Sequence, residues 1–427
     1  MNEFISIFWF RRDLRLNDNK ALNAALKNHK NVLPIFIFDS NILEELEDND
    51  PRVSFIYKCL ESINKDLKKY NTSVKCIFGT PYEVFIDLIN EFQITDVYLN
   101  NDYEPYSRER DRSIFELLTK NDINLHGFKD QVIFERLEVT KTDGTPYTIF
   151  TPYKKKWIDT FSPVDAQTIS LVNTKNFLEC NFTLITLEEM GFRKAQIQVP
   201  EYNLNVIEEY AEQRDFPSKN ANSYLGTHLR FGTVSIREIV SKLDYSSTFL
   251  SELIWREFFK QILYNFPQVI HSNFKSKYDG IEWKNNPEEF KAWCEGKTGY
   301  PIVDAGMKEL NETGLMHNRV RMITAGFLCK HLLIDWRWGE AYFASKLLDY
   351  DLSSNNGNWQ WAAGTGCDAA PYFRIFNPTE QQKKFDKDFV YIERWNSNWR
   401  SNKNTIVDHK FARKRALETY AKGILKA

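Results

Sequence analysis

The segment FISIFWFRRDLRLNDNKALNAALKNHKNVLPIFIF, residues 4–38, decides the fold. An apolar run from Phe4 to Phe10 leads into a polar turn, then a stretch with apolar residues at helical spacing (Ala21 to Lys27), then a second apolar run from Val32 to Phe38. Short continuous apolar runs read as strands buried on both faces, and strand, helix, strand requires a crossover and therefore parallel pairing. The alternation continues outward. Val53 to Lys69, Tyr82 to Phe92 and Tyr106 to Lys120 read as helices, and Val74 to Phe78 and Asp96 to Leu99 as strands. Residues 1–130 are therefore expected to form a doubly wound α/β domain, a parallel sheet with helices on both faces that binds ligands beyond the carboxyl ends of its strands. The turn after the first strand reads RRDLRLND, not G-x-G-x-x-G, so the dinucleotide fingerprint is absent. Gly296-Lys297-Thr298 is no P-loop, because Lys291 stands where that motif needs glycine.

Beyond this domain the pattern changes. Residues 131–205, with TPYKKKW and Pro152, Pro163 and Pro200, read as an interdomain connector. Residues 206–427 lose strand alternation, and helical periodicity appears in Phe249 to Phe266, Asn318 to Ile334 and Gly339 to Leu348, so an all-helical domain is expected. Nine of the 11 tryptophans fall in this half, which calls for flat apolar surfaces or a planar ligand there. The 427 residues, 42% hydrophobic and 27% charged, describe folded domains and not a disordered chain. Six scattered cysteines without a C-x-x-C pair give neither a disulfide framework nor a zinc knuckle, and no metal is expected. Without a membrane-length apolar run or a signal-peptide pattern, the expected location is cytoplasmic. The formal charge of -2 hides an asymmetry: from Gln381 onward 12 Lys/Arg face 5 Asp/Glu, a basic end suited to phosphate contacts or to a solvated helix face.

Three constellations could carry chemistry. In SELIWREFFKQI, Glu252, Trp255 and Phe259 share one helical side, and burial of that side would raise the glutamate pKa. In MHNRVRM, Asn318 and Met322 share a face flanked by Arg319 and Arg321, an amide and a thioether suited to a nucleobase, while His317 reads as a core histidine. In LLDYDLSSNNGNWQWAAGTGCDAAPYFRIFNP, residues 347–378, Asp349, Asp351, Asn355, Trp359 and Trp361 stand among small residues. Together these imply a helical domain that binds a large, polar, planar ligand.

The order of FWFRRDLRLND, NDYEPYSRERD, TPYKKKW, ELIWREF, GKTGYPIVDAGM, MHNRVRM, LLIDWRWGE and the 347–378 segment resembles the photolyase and cryptochrome flavoproteins, most closely class I cyclobutane pyrimidine dimer photolyases. The resemblance implies a Rossmann-like antenna-type domain followed by a helical domain that holds FAD, active when reduced, with a second antenna chromophore of open identity. It implies that Tyr210, Asn222, Ser223, Leu225, Arg256, Asn318, Arg321, Asp349, Asp351 and Asn355 hold FAD. It further implies that Arg214, Glu252, Trp255, Arg319, Met322 and Trp361 contact the flipped-out lesion in UV-damaged DNA. Glu252 and Asn318 would assist repair, and Trp359, Trp336 and Trp283 would relay electrons to the flavin. The family's phosphate turn is more often T-S-x-L-S, where this chain has Asn222-Ser223-Tyr224-Leu225-Gly226, and Phe249 replaces a frequent tryptophan.

Two other activities of the resembled family go with different residues. Repair of 6-4 photoproducts goes with histidines where this chain has Asn318 and Met322. Photoreceptor cryptochromes go with aspartate and tyrosine where it has Asn355 and Trp361, and with an extended tail beyond the helical FARKRALETYAKGILKA that precedes the stop at Ala427. Dimer repair is the expected activity, by a monomer without membrane association or an obligate protein partner.

Overall fold

The computed structural model describes residues 4–219, 221–244, 246–401 and 404–426. Its contacts divide the chain into two units, one comprising Met1–Val139, Trp157–Pro200 and Leu225–Tyr245, the other Thr140–Lys156, Glu201–Tyr224 and Ser246–Ala427.

The first unit is built on a parallel sheet of five strands, β1 (Ile5–Phe10), β2 (Val32–Asp39), β3 (Lys75–Gly79), β4 (Ile94–Asn100) and β5 (Asn124–Phe128), in the order β3-β2-β1-β4-β5. Crossovers are made by α1 (Lys20–Asn28), α2 (Pro51–Leu67), α3 (Pro81–Glu91) and α4 (Pro105–Lys120). Three of these begin with proline at the first helical position, where the missing N–H costs nothing, and Asn19, Asp50 and Thr80 cap α1, α2 and α3 by accepting from backbone N–H groups. Every residue of β1 and β2 is buried because alternate side chains enter different cores. Phe8, Phe10, Phe36 and Phe38 pack with Leu22, Leu26 and Leu60, whereas Ile7, Trp9, Ile35 and Ile37 pack with Phe85, Leu88, Ile114 and Leu118.

The RRDLRLND turn fills the switch point between β1 and β4 with ion pairs. Arg11 Nη1 lies 2.6 Å from Asp111, Arg12 Nη1 lies 2.7 Å from Glu104, and buried Asp13 accepts from Asn100 Nδ2 at 2.5 Å. Arg237, 1% exposed, joins Asp18 at 2.9 Å and Asp130 at 2.7 Å, which ties residues 225–245 to this unit. The four strands read from sequence are present, and β5 is a fifth that the apolar pattern does not reveal. It is a half-exposed edge strand, NLHGF, whose His126 bonds Asp96 at 2.8 Å.

The second unit has no strand among its described residues. Its main helices are α5 (Thr248–Asn265), α6 (Pro301–Thr313), α7 (Asn318–Gly326), α8 (Trp336–Lys346), α9 (Leu352–Ala363) and α10 (His409–Lys426). Trp293, Met307, Leu310, Val320, Leu328, Trp336, Phe343 and Trp359 form its core. Gly339 on α8 allows the close approach of Trp359, since a Cβ there would fall 2.1 Å from the indole. The helical pattern read over Asn318 to Ile334 is interrupted: α7 ends at Gly326, a π-turn spans Phe327–His331, and Leu333 is left-handed at φ 52°. TPYKKKW lies on a helix, Phe150–Thr160.

Two buried histidines give this unit a pH dependence. Burial, reinforced by Arg321, pushes His317 down to about 4, and burial with His409 and Arg415 pushes His331 down to about 3. Between the ordinary value of 6.5 and these values the unfolded chain binds protons that the folded chain refuses, so each histidine lowers stability as pH falls. The loss is roughly 3 kcal/mol per histidine by about pH 4. His317 caps α7 by accepting from Arg319 N at 3.2 Å, a role asparagine also fills. His317→Asn should flatten the acid limb of a denaturant-midpoint against pH curve by up to one proton; an unchanged slope would contradict this.

Candidate functional site

On α5, Trp255 turns to Phe150, with stacked rings 3.7 Å apart at 9°, and lies 5.3 Å from Phe259. Glu252 is not enclosed with the indole. Its side chain is 33% exposed and its Oε1 accepts from Arg214 Nη1 at 2.5 Å, because the chain after the short helix Tyr210–Gln213 brings a guanidinium to it. Burial opposes the Arg214 charge, but Glu252 and Tyr210 outweigh it and hold the pKa above its ordinary value. Tyr210 packs edge-on to Phe249 at 4.9 Å, and burial together with Glu252 pushes its phenol up to about 12. Beside this group, Arg319 Nη2 donates to Asp215 at 2.6 Å and its guanidinium covers the Phe385 ring at 4.4 Å. Arg214, Glu252, Tyr210, Asp215 and Arg319 thus form one linked charged cluster.

A second group surrounds the start of α9. Arg321 donates to Asp349 at 2.9 Å and to the Met316 carbonyl at 2.8 Å. Asp351 caps α9 by accepting from Ser354 N and also accepts from buried Lys260 Nζ at 2.8 Å, so its carboxylate is bound within the protein. Asn355, 8% exposed, donates from Nδ2 to the Glu340 carboxylate at 2.8 Å and to the Glu340 carbonyl at 3.1 Å. This fixes the amide orientation and leaves Asn355 Oδ1 without a donor among the described residues, a nearly buried acceptor that suits an N–H on a planar heterocycle. Burial pushes Glu340 above the usual carboxylate range.

Asn318 opens α7 and is exposed, and Met322, one turn on, is half-buried. Trp361 on α9 and Arg256 on α5 are half-buried. Asn222 and Ser223 lie in a half-buried turn where the Ser223 carbonyl accepts from Asn203 N at 2.8 Å and Tyr224 is left-handed at φ 53°. Leu225, 3% exposed, opens a helix of the first unit, Leu225–Phe231.

Trp359 and Trp336 are 2% and 1% exposed, and Trp283 is half-buried at the edge of the same core. Trp359 meets Phe343 at 5.0 Å and Trp293 at 6.1 Å, and Trp336 Nε1 donates to Asn273 at 2.9 Å. Sequence reasoning did not single out Lys260, Glu340, Asp215 or Phe150. Lys260 had a detectable signal, a charge within the apolar face of α5, whereas the other three act through contacts distant in sequence.

The chain thus combines an α/β unit on a parallel sheet with a helical unit in which Asn355 Oδ1 stands as a nearly buried acceptor that suits a planar heterocycle. The profile described as DNA photolyase matches residues 6–170, and that described as FAD binding domain of DNA photolyase matches residues 249–418. The deoxyribodipyrimidine photo-lyase of Vibrio cholerae is 36% identical over 430 residues, 94% of this chain and 92% of that protein. A class III photolyase structure from Agrobacterium tumefaciens superposes with a TM-score of 0.88 at 31% identity, covering 100% of this chain and 98% of that one. An archaeal photolyase from Sulfolobus tokodaii with two FAD molecules does so with 0.87 at 33% identity, covering 98% and 100%. The chain belongs to the DNA photolyase family.

Proposed function

We propose that this protein is a light-driven lyase that splits cyclobutane pyrimidine dimers in UV-damaged DNA. The observation that carries this reading is the Glu252–Arg214 pair beside the Trp255 surface, in a chain that matches photo-lyases over nearly its whole length. Reduced FAD, when bound, supplies the electron that opens the cyclobutane ring. Arg321 with Asp349, Asn355, Arg256, Tyr210 and the turn at Asn222, Ser223 and Leu225 hold the cofactor in this reading, and Asp351 supports them as the Lys260-anchored cap of α9. Glu340 keeps Asn355 Oδ1 free to accept.

The flipped-out lesion packs its apolar ring against Trp255, Trp361 and Met322. Glu252 hydrogen-bonds it and stabilises the charge that develops as the dimer opens, and Asn318 bridges substrate and cofactor. Arg214 and Arg319 contact the lesion side or adjacent phosphates, which makes binding salt-dependent. Trp359, Trp336 and Trp283 relay electrons inward from the surface. In this reading the sheet-bearing unit acts as the antenna-type domain and the helical unit as the FAD- and DNA-binding domain. The bounds expected from sequence, 1–130, 131–205 and 206–427, differ from the two units, because 131–139, 157–200 and 225–245 belong with the sheet and 140–156 with the helices. The protein acts as a cytoplasmic monomer, and pigment extraction identifies its antenna.

Asn318 and Met322 in place of histidines favour cyclobutane dimers over 6-4 photoproducts. Reduced, illuminated protein should restore oligonucleotides that carry the first lesion and leave the second intact. The reverse preference would overturn the assignment.

A further inference from the structure

The stretch from Tyr147 to Lys154 reads from sequence as connector, yet in the fold it lies along α5 as a strap. The Tyr147 carbonyl accepts from Gln261 Nε2 at 2.8 Å, Phe150 meets Trp255 and Phe258, and Lys154 Nζ donates to Ser251 Oγ at 2.6 Å. Ser251, Trp255, Phe258 and Gln261 recur every three or four residues, so the strap runs along one face of the helix. Buried Tyr153 adds a contact to Phe258 at 5.2 Å.

Phe150 is held from two directions besides the indole. Its backbone N–H donates to Asp368 Oδ2 at 2.8 Å, in the loop that follows α9 and Trp361, and Phe258 meets its ring edge to face at 5.8 Å. The ring is 8% exposed and lies parallel to Trp255. Trp255 itself is half-buried, so part of the indole stays open to a ligand while Phe150 covers one face. Phe258, at 5.5 Å and 82°, and Phe259, at 5.3 Å and 31°, confine the indole from its own helix. Phe259 in turn rests on Gly357 of α9, one turn before Trp361, where a Cβ would fall 2.1 Å from the Phe259 ring. The layer Phe150, Trp255, Phe259 thus ties the plane of the indole to the helix that carries Trp361 and to the loop after it.

We propose that Phe150 is a positioning residue for the lesion: stacked on Trp255 and tied to Asp368, it holds the indole in the plane that receives the flipped-out dimer. The proposal rests on the reading of Trp255 as a lesion contact. An indole free to turn about its side-chain torsions would have to be ordered at each binding event, and that cost is subtracted from affinity. A buried ring stacked against it orders it beforehand. The bonds and ring contacts of Phe150 go to Asp368, Trp255 and Phe258, apart from the Asn355 and Arg321 groups. Its effect therefore falls on affinity for the dimer and not on flavin binding or on the yield of a dimer already bound.

Titration of the flavin-loaded full chain with dimer-bearing and with undamaged oligonucleotides, followed by repair yield per absorbed photon at saturation, tests this. Phe150→Leu, which keeps apolar volume and loses the ring, should bind the dimer about three- to tenfold more weakly, the worth of an aromatic pair. Its flavin content, its affinity for undamaged DNA and the yield of its saturated complex should match those of the unmodified protein. Trp255→Leu should lose more, and Phe150→Leu added to it should cost nothing further, because the first residue acts through the second. Asp368→Ala, which removes the latch and leaves every ring in place, should weaken dimer binding in the same direction, and it decides the matter if Phe150→Leu does not retain flavin. Undiminished dimer affinity in the deciding variant, an equal loss for both oligonucleotides, or a loss that adds in full to that of Trp255→Leu would overturn the proposal. Undiminished dimer affinity in Trp255→Leu would overturn the reading of Trp255 as a lesion contact, and the proposal with it.

Discussion

Trp359→Phe should abolish light-driven reduction of the bound oxidised flavin while leaving repair by chemically reduced protein intact. The indole is 2% exposed, stands first in the proposed relay, and packs on the Gly339 backbone and the edge of Phe343 at 5.0 Å. Phenylalanine keeps an apolar ring there but is far harder to oxidise, so it interrupts the relay and retains most of the packing. The stability cost should stay well below the about 3–5 kcal/mol of full truncation. Steady illumination with an external reductant, followed by the flavin spectrum, checks this. Photoreduction at the unmodified rate would remove Trp359 from the relay.

Glu252→Ala should weaken binding of the dimer by about 1.5–3 kcal/mol, roughly ten- to hundredfold, the range for a hydrogen bond to a charged group. It should also lower the repair yield per absorbed photon, because the charge that develops on the opening dimer loses its partner. Flavin content should not change, since Glu252 is tied to Arg214 and not to the Asn355 and Arg321 groups. Glu252→Gln, which keeps hydrogen bonding but loses the charge that holds Arg214, should fall between the two. Titration with a dimer-bearing oligonucleotide and measurement of repair yield separate these effects. Undiminished affinity and yield in Glu252→Ala would end its assigned role.

The fold was legible where burial writes a continuous signal. β1 and β2, buried on both faces, stand out as apolar runs, and the helices between them show one apolar stripe. The edge strand β5 was not legible, because NLHGF has a solvent-facing side and little apolar contrast. The π-turn at Phe327–His331 keeps a helical pattern of apolar residues while its backbone departs from it. At the site, residue types were readable and pairings were not. Helical spacing puts Trp255 on one side with Glu252, yet its flat partner is Phe150, about a hundred residues distant, and Glu252 faces Arg214. Asn355 could be named from its segment, but Glu340, which fixes its amide, belongs to another helix. A linear pattern records which face of an element is buried and leaves open what lies opposite.

The central claim is most directly tested by reducing the flavin-loaded protein, illuminating it with oligothymidine that carries cyclobutane dimers, and following thymine absorbance against a dark control. Recovery in light and none in the dark is the predicted result. No recovery with reduced FAD bound would contradict dimer repair and favour a photoreceptor or another lesion.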